Sequence, residues 1–230
     1  MIFDKFRPVF NNNFIKQIDC WYLKQYFSGQ TSLFRYYQNI FIRHFGTDCQ
    51  GKIIEIGADK HCGYRKYFYN AKEYIHTNIS GECDLILDVT NMSSISDNTV
   101  DTIVCISVLE HIFDYQQALA EIERVLKPGG KLLLTVPFGF PIHDKIDYWR
   151  FSRDFYIKKL NFFNIVSFIH FGGRLSTIAN SLQRPCGKLT LKYFLFKSIG
   201  FLIAILAIRL DTRDSFPLGF GIVAQKKNLI

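Results

Sequence analysis

The 230-residue sequence lacks the cysteine patterns that mark several classes of protein. Its six cysteines include no C-x-x-C pair and have no regular spacing. This disfavours both a disulfide-stapled secreted domain and a zinc site of the ribbon type. We interpret them as free thiols and expect the protein in the reducing cytoplasm. They are Cys20, Cys49, Cys62, Cys83, Cys105 and Cys186.

Long runs of one charge are also missing. The net charge is +8, yet no run of Lys and Arg is longer than two residues. Scattered basic residues predict a solvated surface and not a nucleic-acid patch. An RNA-modifying enzyme therefore stays an alternative that draws only on the net charge. The first ten residues contain no continuous apolar core, so we expect no signal peptide.

The composition fits a globular chain, with 48% hydrophobic residues over 230 positions. We predict one domain over 1–230. Short apolar strands alternate with amphipathic helices, which predicts an α/β fold with a doubly wound, mostly parallel, seven-stranded sheet. Within it we expect a helical cap at 1–47, a core sheet at 48–171 and 212–230, and an apolar helical insertion at 172–211. The predicted strands are 52–56, 73–79, 83–87, 102–106, 131–136, 164–171 and 216–224, and the predicted helices are 14–25, 33–44, 64–71, 114–126 and 152–160.

The segment 52–63 carries the clearest sign of a ligand site. An apolar strand stops at Gly57, and a helix is predicted to begin after Gly63. A strand that turns through glycine into a helix presents backbone N–H groups and the positive end of the helix dipole. In a parallel sheet this crevice accommodates a ligand that contains a nucleoside.

Four sequence blocks resemble the class I S-adenosylmethionine-dependent methyltransferases in order and spacing. They are Ile-Ile-Glu-Ile-Gly-Ala at 53–58, Asp-Leu-Ile-Leu-Asp-Val-Thr at 84–90, the block ending Val-Leu-Glu-His at 100–111, and the block containing Leu-Lys-Pro-Gly-Gly at 122–137. The chain is similar to the branch with the ubiquinone-biosynthesis-type domain. The block at 141–152 resembles members associated with polysaccharide biosynthesis.

The resemblance implies S-adenosyl-L-methionine as cofactor and assigns residues to it. They are Glu55, Gly57, Ala58, Asp59, Asn78, Ile79, Asp88, Val89, Thr90, Ser107 and Val108, with Met92 in the pocket wall. Two positions depart from the family pattern. Where the family has the second glycine of the turn, this chain has Asp59. Where the family has an acidic residue that receives the ribose hydroxyls, this chain has Asn78. An amide binds hydroxyls more weakly than a carboxylate does. A catalytically silent relative that acts as a structural or membrane-associated partner is the alternative.

The implied reaction is transfer of a methyl group to an oxygen atom of a small molecule or of a glycan or lipid-linked saccharide. Oxygen acceptors with a high pKa need a base, and histidine is the residue best suited near neutral pH. His111 and His143 follow strands at the cleft edge, so we predict both as catalytic; no metal is predicted. A backbone-bonded histidine at the start of a helix is the alternative for His111.

Tyr148, Trp149 and Arg150 form a second candidate group. An aromatic face beside a forked cation suits stacking on a sugar or holding a phosphate, so we predict substrate contacts. The same residues equally suit a hydrophobic anchor ahead of a helix capped by Ser152.

The segment 189–210 is nearly all apolar in its second half. Its uninterrupted run is too short for a membrane span. Two readings stay open. One is a buried helix or a dimer or lid surface, which would allow a homo-oligomer, and the other is a peripheral membrane contact.

Overall fold

The computed structural model describes residues 31–61, 63–183, 191–211 and 216–228. Strands and helices alternate along most of the chain. The helices are α1 (Leu33–Gly46), α2 (Tyr115–Val125), α3 (Arg153–Lys159), α4 (Arg174–Gln183) and α5 (Leu191–Leu210). The strands are β1 (Gly51–Ile56), β2 (Ala71–Asn78), β3 (Leu85–Ile86), β4 (Val100–Ile106), β5 (Leu126–Pro137), β6 (Phe163–His170) and β7 (Gly219–Lys226). Single 3-10 turns occur at Arg65–Tyr67 and Leu109–His111.

The seven strands form one sheet in the order β3-β2-β1-β4-β5-β7-β6. Strand β1 pairs in parallel with both β2 and β4, and the pairs β2–β3 and β4–β5 are also parallel. The predicted Rossmann-like, seven-stranded sheet is therefore confirmed. The strand order reverses between β1 and β4, and ligands of such sheets bind at the carboxyl ends of the strands beside this reversal.

Buried apolar side chains explain why β1 and β4 form the centre of the sheet. Ile53 and Ile54 of β1 and Ile103 and Val104 of β4 have no solvent exposure. Strands that are covered on both faces have such continuous apolar runs. Helix α2 begins at its cap Asp114, which accepts a hydrogen bond from the Gln117 backbone N–H, and ends close to the predicted position.

The predicted helix at 64–71 is wrong. Only the 3-10 turn Arg65–Tyr67 forms there, and the chain enters β2 at Ala71. The aromatic ring of Phe68 is fully buried, and the Tyr64 backbone N–H donates to the carboxylate of Glu55. These tertiary contacts outweigh local helix propensity, and no helix dipole points at the glycine turn.

Two further differences concern the ends of elements. Lys127-Pro128-Gly129-Gly130 ends α2 as predicted, but these residues belong to β5, where the pairing with β4 shifts register. Helix α4 lies in the predicted insertion and was not expected as a separate element. The predicted cap helix at 33–44 is confirmed by α1, whereas the one at 14–25 lies outside the described residues.

The chain divides into two compact units. The first contains the described residues up to Ile40, Phe138–Ile142 and the described part of Ile169–Phe220. In it, the Asp211 carboxylate accepts hydrogen bonds from the backbone N–H groups of Gly173 and Ser176 at the start of α4. The second unit contains the described residues of 41–137, 143–168 and 221–228.

Helix α5 buries small residues and exposes large ones. Gly200, Ala204 and Ala207 are buried. A side chain at Gly200 would place its Cβ 3.0 Å from the Cβ of Leu182 on α4, so the two helices approach closely. The large apolar residues that face solvent are Leu195, Phe196, Ile199, Leu202, Leu206 and Leu210. Across the described residues, no helix combines the length and apolar character that crossing a membrane requires.

Candidate functional site

The carboxyl ends of β1 and β4 meet at Gly57 and Val108. Gly57 has φ +72°, and a Cβ atom there would lie 2.7 Å from Cγ2 of Val108. Both the left-handed backbone and this close approach require glycine. The predicted turn is therefore present, and it brings these two predicted cofactor residues together.

Glu55 supports the turn from below. Its buried carboxylate accepts hydrogen bonds from the Tyr64 backbone N–H at 3.0 Å and from the Tyr74 hydroxyl at 2.6 Å. Burial raises the pKa of Glu55, and the bond from Tyr74 opposes that rise. The Glu55 carboxylate is thus held by the loop at Tyr64 and by strand β2.

Asp59 and Asn78 lie side by side at the end of β2. The Asn78 side-chain amide donates to Oδ1 of Asp59 at 3.1 Å, while its oxygen accepts from the Ile79 backbone N–H at 2.8 Å. The Ala58 backbone N–H donates to Thr77, which ties the glycine turn to β2. A carboxylate is consequently present next to the position where the sequence has an amide.

The residues after β3 form a tight turn over a buried wall. Oδ1 of Asp88 accepts hydrogen bonds from the backbone N–H and the hydroxyl of Thr90, both at 2.8 Å. Val89 and Met92 are buried next to it. Asp88 itself is exposed, so the turn presents a carboxylate to solvent above apolar side chains.

Strand β4 ends in a strained residue. Ser107 has φ +54°, a conformation that residues other than glycine rarely adopt. Its backbone N–H donates to the Thr135 carbonyl at 2.9 Å, which fixes it beside β5. Such strain occurs preferentially at functional sites, and here it sits at the reversal point of the sheet.

The two histidines predicted as catalytic come together next to this strand end. The rings of His111 and His143 lie 5.1 Å apart. Nδ1 of His111 bonds the Ile146 carbonyl, and Nδ1 of His143 lies 3.1 Å from Oδ2 of Asp147. Each Nε2 atom lies 3.7 Å from the carboxylate of Asp144. The backbone bond of His111 matches its alternative reading, without deciding between the two.

Glu110 is the most unusual group in this cluster. Its side chain is 1% exposed, and neither carboxylate oxygen has a hydrogen-bond partner. Burial raises the pKa of Glu110 to about 8. Partial burial also lowers the pKa of His143. Although burial acts to raise the pKa of Asp147, bonds from Arg150 and the His143 backbone lower it to about 2.

Tyr148, Trp149 and Arg150 have different surroundings. The ring of Trp149 stacks on Phe151 at 5.3 Å, and its Nε1–H donates to the Ile112 carbonyl at 2.9 Å. Arg150 donates to both carboxylate oxygens of Asp147. Tyr148 is half exposed. These contacts match the anchor reading for Trp149, while a substrate role for the group stays a prediction.

The sequence prediction did not include Glu110, and it considered Asp147 only as an acidic residue that follows His143. Glu110 stands next to His111 in the same block, but its burial without a partner depends on packing that no local pattern encodes. A carboxylate four residues after His143 was visible as a candidate partner, and only the fold shows Asp147 bonded to both His143 and Arg150.

The comparisons with known proteins agree with this arrangement. Residues 28–134 match the family model described as a methyltransferase domain. The matched stretch includes the glycine turn, the end of β2, and Ser107 to His111. No curated protein sequence matches the chain.

Solved structures show the same fold at low sequence identity. A SAM-dependent methyltransferase from Archaeoglobus fulgidus is 15% identical, with 90% of this chain and 99% of that chain covered and a TM-score of 0.56. The geranyl diphosphate C-methyltransferase of Streptomyces coelicolor A3(2), solved with Mg²⁺, geranyl diphosphate and S-adenosyl-L-homocysteine, is 12% identical, with 80% and 77% covered and a TM-score of 0.54. The [4+2]-cyclase SpnF is 15% identical, with 82% and 81% covered and a TM-score of 0.54.

Proposed function

We propose that the chain is an S-adenosylmethionine-dependent methyltransferase, because residues 28–134 match a methyltransferase domain and solved methyltransferases share its fold. We further propose that it methylates an oxygen atom of a small-molecule or saccharide acceptor. The finer parts of this proposal are the oxygen acceptor, the link to polysaccharide biosynthesis and the likeness to the ubiquinone-biosynthesis branch. They draw on the sequence blocks at 100–111 and 141–152 and on the histidine cluster.

One observation carries the proposal. The glycine turn, the Asp59–Asn78 pair and strained Ser107 all lie at the carboxyl ends of adjacent strands, where the order of the sheet reverses. The residues fit the cofactor because Asp59 supplies the carboxylate that Asn78 lacks. A carboxylate receives ribose hydroxyls more strongly than an amide does.

Each part of the site has a defined task in this proposal. When bound, the cofactor supplies an electrophilic methyl group on its sulfonium. The Gly57 backbone admits the methionine part, Asp59 and Asn78 receive the ribose hydroxyls, and the turn at Asp88 receives the adenine edge. His111 closely follows Ser107 and Val108, and the His143 ring lies 5.1 Å from the His111 ring, so we assign both histidines to activation of the acceptor oxygen. The protein mainly aligns the two reactants and excludes water.

Calorimetry with S-adenosylhomocysteine tests cofactor binding. We expect wild-type protein to bind, and Asp59→Asn to weaken binding about 10-fold to 100-fold because one charge-assisted hydrogen bond is lost. Asp154→Asn removes an exposed carboxylate on α3 and should leave binding unchanged. Absence of binding by wild-type protein at millimolar ligand would support the catalytically silent alternative.

A labelled-methyl assay tests the acceptor. We expect transfer to hydroxyl groups of a panel of saccharides, lipid-linked saccharides and phenols, with products that resist mild base as ethers do. Since one fold relative is named a cyclase, a turnover that leaves the labelled methyl group on the cofactor would contradict the proposal.

The exposed face of α5 supports a lipid-linked acceptor. Monomeric soluble proteins rarely expose a contiguous stripe of large apolar residues, and Leu195, Leu202 and Leu206 are each more than half exposed. The chain carries a net charge of +8, which favours an anionic surface. We therefore assign this face to the membrane interface and make a dimer surface the competing outcome.

A further inference from the structure

Glu110, His111 and His143 form a cluster that the methyl-transfer proposal does not fully explain. Their ligating atoms, one from each side chain, all lie within 4.8 Å of one another. The cluster lies wholly in the second unit, on the 3-10 turn after β4 and on the loop after β5. We propose that these three residues bind a divalent transition-metal ion of the zinc or iron type.

The buried carboxylate of Glu110 is the first argument. A carboxylate with 1% exposure and no well-formed hydrogen bond to either oxygen is costly, because its surroundings replace little of its hydration. Nε2 of His111 lies 3.9 Å from Oε1 of Glu110, beyond hydrogen-bond distance. A cation between Glu110 and the two imidazoles would satisfy both oxygens.

The orientation of the two histidines is the second argument. A metal-bound histidine usually donates its other ring N–H to a carbonyl or carboxylate, which fixes the ring. His111 meets this condition through the Ile146 carbonyl, and His143 meets it through Asp147. Arg150 in turn holds Asp147. The Nε2 atoms are then the ligating atoms, on the same side as Asp144.

The donor set selects the metal class. Two imidazoles and one carboxylate suit zinc and iron, whereas magnesium and calcium prefer oxygen ligands alone. Ligands around zinc are about 2.0–2.2 Å from the ion, so the three side chains must move inward on binding. Asp144, 3.7 Å from both Nε2 atoms, is placed to become a fourth ligand.

The site would leave coordination positions open towards the cleft. Because Glu110 and His111 closely follow Ser107 and Val108, an ion there would hold an oxygen of the methyl acceptor and lower its pKa, and this would replace the base role assigned to the two free imidazoles. Only this last step rests on the proposed function. The metal site itself depends on the geometry of the three side chains.

Metal binding can be measured without any methylation assay. Protein prepared without a histidine tag is stripped with a chelating resin and titrated with Zn²⁺ by calorimetry and with Co²⁺ by visible absorption. We expect about one equivalent of Zn²⁺ per chain, a Co²⁺ spectrum of low coordination number, and a rise in melting temperature with Zn²⁺.

Substitutions separate this site from adventitious binding. His111→Asn, His143→Asn and Glu110→Gln should each weaken Zn²⁺ binding at least 10-fold. His170→Asn removes an imidazole of the first unit and should leave binding intact. Circular dichroism verifies that each variant is folded, and Glu110→Gln serves as the mildest change if a histidine variant unfolds. Asp144→Asn tests whether Asp144 is the fourth ligand: Zn²⁺ binding weakens if it is and stays unchanged if it is not.

Two results would overturn the inference. One is a wild-type protein that binds neither Zn²⁺ nor Co²⁺, and the other is binding that all three substitutions leave unchanged. If S-adenosylhomocysteine binds the metal-free protein while zinc does not, the metal site fails and the methyltransferase proposal stands. If zinc binds and S-adenosylhomocysteine does not, the metal site stands and the methyltransferase proposal fails.

Discussion

Gly57 brings the backbone at the end of the central strand close to the Val108 side chain. Gly129, which also has a left-handed backbone, makes no such close approach. Gly129 has a similar left-handed φ of +77°, yet an added Cβ there would come no closer than 3.6 Å to its neighbours. Comparing substitutions at the two positions therefore distinguishes the effect of backbone strain from the effect of a steric clash with Val108.

Substituting each of these glycines by alanine gives the first prediction. Gly57→Ala and Gly129→Ala should each lose about 1–2 kcal/mol of unfolding free energy because of the left-handed backbone. Gly57→Ala should lose more than Gly129→Ala, because only its Cβ atom meets Val108. Only Gly57→Ala should also lose affinity for S-adenosylhomocysteine, by at least about 10-fold. Chemical denaturation and calorimetry on the same samples measure the two effects. Equal cofactor affinities would show that the contact with Val108 does not matter.

Trp149 allows a second prediction at the same scale. As an anchor, it contributes ring packing and one hydrogen bond to the Ile112 carbonyl. Trp149→Phe keeps a ring and should cost about 1 kcal/mol, while Trp149→Ala should cost about 3 kcal/mol or more in urea unfolding. A variant that keeps full stability but loses turnover would instead indicate substrate contact.

Helix α2 stabilises the loop after β3 through one ion pair. Glu121 accepts the Met92 backbone N–H at 2.6 Å and pairs with Arg124 through two bonds of 2.8 Å. Arg124 also donates to the Met92 carbonyl. The helix thereby fixes the buried wall beside Asp88, a link that the separation along the chain hides from sequence patterns.

Acid unfolding tests this link. The bond from Arg124 lowers the pKa of Glu121 below its ordinary value of 4.5. The stability that the ionised Glu121 side chain contributes is fully present above pH 4.5 and is lost as the pH falls through the lowered pKa of Glu121. Glu121→Gln should cost about 1–3 kcal/mol at neutral pH, and this difference should shrink below that range. A cost that persists in acid would assign the effect to packing.

Local patterns predicted some elements well and missed others for physical reasons. The apolar run of β4 and the amphipathic pattern of the helix at 114–126 are encoded within a few residues, so both were predictable. No α-helix forms at 64–71, because Phe68 is buried and the Tyr64 backbone N–H donates to Glu55. Residues far apart in the sequence make these contacts, and periodicity does not report them.

The same limit applies to the candidate site. Glycine after a strand and histidines at strand ends are local signals, and the structure brings His111 and His143 together as the topology requires. The bond from His111 to Ile146 spans 35 positions. Likewise, the hydrogen bond between Asn78 and Asp59 spans 19 positions and places a carboxylate beside the amide.

At the scale of the whole molecule, α5 provides the fourth prediction. Replacing Leu202 and Leu206 by Gln should change the unfolding free energy by no more than about 0.5 kcal/mol each, because both side chains face solvent. The double variant should lose binding to anionic phosphatidylglycerol vesicles in flotation. Wild-type protein should bind less to neutral vesicles.

Size-exclusion chromatography distinguishes a membrane-binding face on α5 from a dimer interface. If wild-type protein ignores vesicles and elutes as a dimer that the double variant converts to a monomer, this face is a subunit interface. A matched substitution on the exposed surface, Ile157→Gln on α3, should alter neither measurement.

The left-handed serine at the end of β4 has a consequence for engineering. Glycine at position 107 would remove strain of the order of 1 kcal/mol. Directed evolution that screens only for heat tolerance or soluble yield would therefore favour Ser107→Gly. If the hydroxyl or the fixed backbone serves the reaction, such a campaign would enrich well-folded but sluggish catalysts, so libraries should keep this codon fixed.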